Sequence, residues 1–289
     1  MFLISYEYND RQDWGLAVPD KRLVFSSKVI FGKNAPDTLL EYIEEGREAE
    51  LTAAYAEQGI NIDEVKFLAP IPKPVRNIFC VGKNYLDHII EIAEHENSDK
   101  KALEHPAFFT KATNTAIGAF DSIPSHTGIT EQVDYEAELA VVIGKKGVNI
   151  PVENAMDYVF GYTILNDVTA RELQENHLQW LKGKSLDGFC PMGPWIVTRD
   201  EISEPVELNI SSKVNGEVRQ KSNTHHMIFD IPTLISILSQ GMTLEPGDIL
   251  ATGTPSGVGK GFKPPRYLKK GDVVRVEIEK IGYIENVVK

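Results

Sequence analysis

The segment from Asp134 to Gly144 constrains this chain more than any other. Its second half, Leu139 to Ile143, is an unbroken apolar run of valine, isoleucine, leucine and alanine, which predicts a strand buried within a sheet. Because side chains alternate along a strand, Glu136 and Glu138 are expected on one face, about 6.8 Å apart at their Cα atoms. Two carboxylates this close beside a core strand need a cation, a shared proton or water.

A divalent metal ion is the simplest partner for these acids, since carboxylate oxygens suit Mg²⁺, Mn²⁺ or Ca²⁺ better than Zn²⁺. The alternative for this segment alone is a solvated strand end with two surface acids. A third acid favours the metal site. Residues 158–167 predict a second strand that ends in Asp167, which would complete a facial carboxylate triad with Glu136 and Glu138.

The residues after Asp167 predict a helix. Thr169 to Glu172 has the spacing of a capping box, which places Asp167 at a strand-to-helix junction, where functional sites are common. The alternative role for Asp167 is to help cap this helix. Farther along, Arg171 and Gln174 are three residues apart and are therefore expected on one helix face.

The charge balance narrows the classes of partner. The chain has 289 residues, a net charge of −12 and no run of lysine or arginine, so it lacks the basic surface that binds nucleic acid or anionic membranes. An anionic substrate must therefore meet a local group of cations. No apolar run approaches the ~20 residues that span a bilayer, and the first residues lack the basic start of a signal peptide. We therefore expect a cytoplasmic protein.

Turn residues and apolar patterns predict an α+β fold in two parts. Residues 1–70 are expected to form a small N-terminal α/β module, with strands near 2–6, 14–18 and 23–25 and helices at 37–48 and 51–58. Three prolines within residues 70–74 predict a stiff linker, so we expect a second, larger domain at residues 71–289, which would carry the candidate site. Its strands do not alternate regularly with helices, which favours a β-rich, mostly antiparallel or mixed roll over a Rossmann sheet.

Within this second part, three local patterns are strong enough to interpret. Asn215-Gly216 predicts a hairpin turn, and residues 231–239 predict an apolar helix with Pro232 in its first turn. Residues 180–187 predict a loop that carries two lysines. Cys80 and Cys190 are expected to be free, buried thiols, a single disulfide being the alternative.

Three further features bear on a possible active site. His88 and Glu91 share one face of a predicted helix, where the carboxylate can orient the imidazole and raise its basicity. An exposed polar pair is the alternative. Residues 94–104 are highly charged without an apolar stripe, which is typical of a mobile lid or of a plain surface excursion. Lys111 ends the predicted strand at 106–111, where a lysine commonly extends its amine to solvent.

Residues 253–261 contain several glycines and a lysine, as phosphate-binding loops do. A Walker A motif needs a serine or threonine after its lysine, whereas Gly261 follows Lys260 here. Pro264 and Pro265 also forbid the helix that should come next. We therefore reject a phosphate loop.

Several motifs, in order along residues 65–289, resemble those of the fumarylacetoacetate hydrolase family. They are Val81 to Tyr85 with His88 and Glu91, Asp134 to Leu139, Asn166 to Arg171, Gly183 to Ser185, Val214 to Glu217, Gly247 to Ile249, and Thr252 to Pro255. The resemblance is closest to bacterial members that include an oxaloacetate decarboxylase, and to a mitochondrial acylpyruvase.

This resemblance implies the family's β-rich roll, usually a homodimer, with a bound Mg²⁺ or Mn²⁺. The implied metal ligands are Glu136, Glu138 and Asp167. The implied catalytic residues are His88 and Glu91, as an acid/base pair on a lid, and Lys184, as the cation beside the metal. The implied substrate-binding residues are Lys111, Arg171, Gln174 and Thr254, with Arg171 alternatively serving only as a charge partner of the acids.

The implied function is C–C bond cleavage in small 2-oxo acids, by oxaloacetate decarboxylation or acylpyruvate hydrolysis through a stabilised enolate. The same enolate also serves a tautomerase. Fumarylacetoacetate hydrolases proper bring a further carboxylate near the strand before the histidine, and Lys83 and Asn84 supply none, which favours smaller substrates. Two alternatives remain: an isomerase or decarboxylase of 2-hydroxyhepta-2,4-diene-1,7-dioate, with Lys111 on the distal carboxylate, and a non-enzymatic ligand sensor or scaffold.

Overall fold

A computed structural model describes residues 1–47, 59–96 and 101–289, with only the backbone described at 95–96. Within these ranges the strands are β1 Phe2–Tyr8, β2 Arg11–Val18, β3 Leu23–Ser26, β4 Ile60–Asn61, β5 Lys66–Phe67, β6 Ile78–Gly82, β7 Ala107–Lys111, β8 Ala116–Ile117, β9 Val133–Asp134, β10 Ala137–Ile143, β11 Val159–Asn166, β12 Thr169–Ala170, β13 Cys190–Thr198, β14 Asn209–Val214, β15 Glu217–Asn223, β16 Ile249–Ala251, β17 Val273–Ile278 and β18 Gly282–Val287. The α-helices are α1 Ser27–Phe31, α2 Leu39–Glu45, α3 Leu86–Glu96, α4 Arg171–Asn176, α5 Leu181–Lys184 and α6 Ile231–Leu238. The predicted helix at 51–58 and part of the predicted lid at 94–104 lie outside the described residues.

Most described strands belong to one large sheet, in the order β4-β3-β2-β1-β13-β11-β10-β16-β6-β7, with β5 beside β1 and β8 beside β13. In the described part of the chain, its neighbours pair antiparallel except for β8 with β13 and β6 with β16. A four-stranded sheet, β15-β14-β17-β18, and the short pair β12-β9 complete the strands. This is the predicted strand-rich α+β fold.

Strand β10 lies inside the large sheet, paired with β11 on one side and β16 on the other. All of its residues are buried. Leu139 and Val141 enter one hydrophobic cluster, whereas Ala140 and Val142 enter another on the opposite face. Burial on both faces therefore explains the unbroken apolar run. Glu136 and Glu138 lie at the N-terminal end of this strand.

The N-terminal strands extend the same sheet. Phe2 of β1 pairs with Val197 of β13, and β2 and β3 follow outward by hairpin connections. Helix α2 is shorter than predicted because Thr38 caps its start and Gly46, at φ 66°, ends it. The division of the chain at residue 70 stays a prediction.

Two local predictions are confirmed and two are wrong. The hairpin turns at Asn215 and Gly216, both at positive φ, and Asp230 caps the start of α6, which has Pro232 in its first turn. The capping box is wrong: α4 has no side-chain cap at Ala170, and the Thr169 hydroxyl donates to the Asp167 carbonyl instead. The predicted loop at 180–187 contains the short helix α5.

The two cysteines are free and buried, as predicted. Burial raises the pKa of the Cys190 thiol to about 12, so it stays protonated at neutral pH. In the described parts of the chain, no helix is both long and apolar enough to span a membrane.

Candidate active site

Three buried acids meet where strand β10 begins and strand β11 ends. Glu136 precedes β10, Glu138 is its second residue, and Asp167 follows β11. The pairing of Ala137 with Asn166 sets these ends side by side, and the Asp167 amide donates to the Glu136 carbonyl at 2.9 Å. One carboxylate oxygen from each acid lies within 4.8 Å of the others. The sequence thus correctly predicted that these acids cluster.

Lys184 at the end of α5 binds two of the acids. Its Nζ lies 2.9 Å from Glu136 Oε2 and 2.7 Å from Asp167 Oδ2. Burial alone would raise the pKa of Glu136, but the charges of Lys184 and Arg171 outweigh it and lower this pKa to about 2. Burial would likewise lower the pKa of Lys184, and the charges of Asp167 and Glu136 raise it instead. Lys184 is therefore held as a cation.

Glu138 is the acid without a cation. Burial and the charges of Asp167 and Glu136 raise its pKa well above the usual range, and its Oε2 accepts the Gly253 backbone N–H at 2.8 Å. No described lysine, arginine or histidine forms an ion pair with it, whereas both neighbours have one. A hard divalent cation would supply the missing charge, and three carboxylates suit Mg²⁺ or Mn²⁺. The residues present therefore fit such an ion.

Lys111, which was expected to contact substrate, is placed differently. Its side chain is 0% exposed, and its Nζ donates to Asp167 Oδ1 at 2.6 Å, to the Val168 carbonyl at 3.1 Å and to the Lys184 carbonyl. These three bonds use every proton of the ammonium group. The prediction of a substrate contact is therefore wrong, because strand β7 directs this lysine beneath Asp167 and away from the cavity.

Arg171 and Gln174 lie on one face of α4, as predicted. Arg171 pairs with Glu136 at 2.8 Å and with Asp134 at 2.8 Å, and it donates to Gln174 Oε1 at 3.0 Å. This bond orients the Gln174 amide, which lines the cavity. Arg171 thus both neutralises buried acids and lines the cavity.

Sequence reasoning missed the role of Asp134. This buried carboxylate accepts the backbone N–H groups of Gly259 at 2.6 Å and Lys260 at 2.9 Å and also binds Arg171. It therefore ties the segment after β16 to helix α4. Its place two residues before Glu136 was the only signal in the sequence.

His88 and Glu91 occupy one face of α3, as predicted. Nδ1 of His88 lies 3.4 Å from Glu91 Oε2, and Glu91 Oε1 accepts the Gly257 N–H at 2.9 Å. The Ser256 hydroxyl donates to Asp87 at 2.7 Å. Two contacts therefore fasten the start of α3 to the loop after β16, and the lid at 94–104 stays a prediction.

These groups surround a cavity of about 340 Å³, which is large enough for a small organic acid. Its walls are Val81, Gly82, Lys83, His88, Ile89, Ile92, Phe109, Glu136, Arg171, Gln174, Glu175, His177, Leu178, Trp180, Lys184, Thr254 and Lys260. Thr254 accepts a bond from Gln220 at 2.7 Å, so its hydroxyl proton is directed elsewhere. Sequence reasoning named neither Trp180 nor Lys260 as part of the site.

The family model of the fumarylacetoacetate (FAA) hydrolase C-terminal domain matches residues 77–289. The chain belongs to the fumarylacetoacetate hydrolase family. The matched residues include the acidic cluster, helices α3, α4 and α5 and the loop after β16. The predicted family is therefore confirmed.

Relatives of this fumarylacetoacetate hydrolase family member span its whole length. The oxaloacetate tautomerase YisK of Bacillus subtilis is 47% identical, over 97% of each chain. A fumarylacetoacetate hydrolase from Exiguobacterium antarcticum is 43% identical with a TM-score of 0.88, covering 100% of this chain and 99% of that one. Maleylpyruvate hydrolase from Sphingobium sp. SYK-6, solved with manganese(II) and pyruvate, is 30% identical with a TM-score of 0.80, covering 100% and 98%.

Proposed function

We propose that this chain is a divalent-metal-dependent enzyme that acts on oxaloacetate and related small 2-oxo acids, with keto–enol tautomerisation as its first activity. One observation carries the proposal: a single cavity is lined by an acidic cluster residue, Glu136, by a fixed cation, Lys184, and by a histidine with a carboxylate partner, His88. The similarity to an oxaloacetate tautomerase supports the choice of substrate.

The metal site proposed for this activity consists of Glu136, Glu138 and Asp167. A bound Mg²⁺ or Mn²⁺ would act as a Lewis acid toward the 2-oxo oxygen of the substrate. Lys184 places a second positive charge beside that oxygen, where negative charge develops when the enolate forms. Lys111 pairs with the Asp167 carboxylate and holds it in place, which is a supporting role.

The proton transfers fall to His88. Converting enol to keto oxaloacetate removes the proton on the C2 oxygen and adds one at C3, so the enzyme needs a group that both accepts and donates. The Glu91 carboxylate, fixed by the Gly257 N–H, lies beside His88 Nδ1 and orients the imidazole for proton transfer. Gln174 and Thr254 are proposed to bind the substrate carboxylate through their N–H and O–H groups.

C–C bond cleavage is the second candidate function. It needs the same enolate, reached by loss of CO₂ from oxaloacetate or by attack of water on the C4 carbonyl of an acylpyruvate. The His88–Glu91 pair favours the hydrolytic route, because a histidine with a carboxylate partner can deprotonate water. The similarity to a maleylpyruvate hydrolase, solved with pyruvate, supports this candidate.

The deciding experiment follows three signals in parallel on metal-stripped protein, with and without Mg²⁺ or Mn²⁺. With oxaloacetate, the ultraviolet absorbance of the enol reports tautomerisation and a coupled lactate dehydrogenase assay reports pyruvate. With acetylpyruvate, release of acetate reports hydrolysis. We expect metal-dependent loss of enol that is much faster than pyruvate formation.

Three variants make the experiment specific. Glu138→Gln should abolish metal binding and therefore turnover. His88→Asn should abolish turnover but leave metal binding intact. Glu153→Gln, on the exposed surface, should change neither metal binding nor turnover. Pyruvate formation at the rate of enol loss would identify a decarboxylase, and acetate release a hydrolase. Absence of metal-dependent turnover in all three assays would refute the proposal and favour the isomerase alternative. The homodimer implied by the family stays a prediction, which analytical ultracentrifugation tests.

A further inference from the structure

Lys260 is a buried cation in the wall of the same cavity. It lies in a short 3₁₀ turn, Gly259–Gly261. Two backbone N–H groups of this turn donate to the Asp134 carboxylate, which also binds Arg171. The position of Lys260 relative to the acidic cluster is therefore fixed through one shared carboxylate.

A carboxylate already occupies the site beside the Lys260 amine. Nζ of Lys260 lies 2.7 Å from Glu175 Oε1, and the two side chains are 7% and 53% exposed. Glu175 follows Gln174 on α4 and lines the cavity as well. Because the Glu175 side chain is 53% exposed, its carboxylate keeps its hydration when it turns outward, and the Lys260 amine can then accept a substrate carboxylate in its place. This arrangement accepts exchange of one carboxylate for another.

The other cations of the cavity have different roles. Arg171 and Lys184 pair with the acidic cluster. Lys83 also lines the cavity, but it lies in a half-buried turn at φ 58° and holds no carboxylate among the ion pairs of the described residues. Lys260 is therefore the cavity lysine for which the protein itself displays a carboxylate ligand away from the acidic cluster.

We propose that Lys260 binds the distal carboxylate of a dicarboxylic 2-oxo acid, taking it in exchange for Glu175, and thereby makes the enzyme select diacids. This inference rests on the proposed function, because it assumes that the 2-oxo end of the substrate lies at the acidic cluster. Without a cation for its second carboxylate, a diacid would place that carboxylate in a cavity already lined by Glu136 and Glu175. Repulsion between like charges would oppose its binding. Lys260 removes that penalty.

The test compares two inert ligands of equal chain length, 2-oxoglutarate and 2-oxopentanoate, which differ only in the distal carboxylate. Their dissociation constants are measured by isothermal titration to Mn²⁺-loaded protein. The ratio of the two constants isolates the contribution of the distal carboxylate, because changes at the metal end affect both ligands. We expect wild-type protein to prefer the diacid.

Lys260→Met should reduce this preference by about tenfold or more, the usual size of a charge-assisted bond, and Lys260→Arg should retain much of it. Glu175→Gln should increase the preference, because it removes the competing carboxylate. If the Lys260–Glu175 pair only held α4 in place, Lys260→Met and Glu175→Gln would each weaken the binding of both ligands by the same factor. That result would overturn the inference. Lys83→Met is the matched control and should leave the ratio unchanged; a lost preference in this variant alone would assign the role to Lys83.

Failure of the two proposals can be told apart by the same titrations. If the protein does not bind Mn²⁺, or binds neither ligand with Mn²⁺ present, the proposed function itself fails. If both ligands bind and Lys260→Met leaves their ratio unchanged, only the inference about Lys260 fails.

Discussion

Lys111→Met tests whether this lysine supports the acidic cluster or binds substrate. The substitution removes three hydrogen bonds and leaves the buried Asp167 without one of its two cations. Breaking a buried ion pair by removing one partner destabilises a protein by about 3–5 kcal/mol. For a chain of this size, we expect the melting temperature of the metal-free protein to fall by roughly 10 °C. Calorimetry or urea unfolding, without and with Mn²⁺, measures the change.

The control is Lys213→Met, which removes a lysine from a surface pair with Glu277 at 3.9 Å. Exposed pairs contribute about 0–1 kcal/mol, so this variant should melt close to wild type. In Lys111→Met, Mn²⁺ should restore part of the lost stability because its charge also compensates Asp167, and KM for oxaloacetate should change little. Wild-type stability together with a large rise in KM would refute the reasoning and return Lys111 to the substrate.

Three further predictions concern the cluster, a thiol and the acid/base pair. Glu138→Gln should weaken Mn²⁺ binding at least tenfold by titration, yet should not lower the melting temperature of metal-free protein, because it removes the acid that burial and its neighbours destabilise. The pKa of the Cys190 thiol is about 12 in the folded protein and 9.0 in the unfolded chain. Between these pH values only the unfolded state loses the proton, so the free energy of unfolding should fall by up to about 1.4 kcal/mol per pH unit. Urea unfolding at pH 8 and 10 should show that Cys190→Ala lacks this part of the pH dependence. In Gly261→Ala the new Cβ would lie 2.2 Å from Cδ of Glu91 and displace that flexible side chain, so kcat should fall by about tenfold or more with stability nearly unchanged. Glu91→Gln should add little to that loss.

The sequence was sufficient for the parts of the site that depend on one strand and its neighbour. Two-residue periodicity predicted that Glu136 and Glu138 share a face, and the apolar run predicted the buried strand beside them. The hairpin at Asn215-Gly216 was equally predictable, because its turn needs positive φ at both residues. These features are set by neighbouring residues, so no tertiary information was needed.

The remaining parts depend on where distant segments meet. Lys111 ends its strand in a way that suits either solvent or a buried acid, and only the placement of β7 against Asp167 decides between them. The sequence pattern around Lys260 suggested only a phosphate-binding loop, which was rejected, and it gave no sign that Lys260 lines the cavity. Its position in the cavity follows from the bonds of its turn to Asp134, which is 126 residues away. The capping box failed because Glu172 accepts a bond from the Thr130 hydroxyl, across the tertiary structure, instead of closing the box.

Under the proposed function, the charges of the cluster explain how an acidic chain can process an anionic substrate. With every acid ionised, four buried carboxylates face three buried cations, which are Asp134, Glu136, Glu138 and Asp167 against Lys111, Lys184 and Arg171. This excess of one negative charge repels a 2-oxo acid and attracts a divalent ion. Once such an ion is held, the same group of residues has a net positive charge, and the cavity favours the substrate despite a chain charge of −12. The three cations are therefore enough to hold the acids in a compact cluster but too few to neutralise it, and we predict that this remaining charge makes substrate binding depend on the metal.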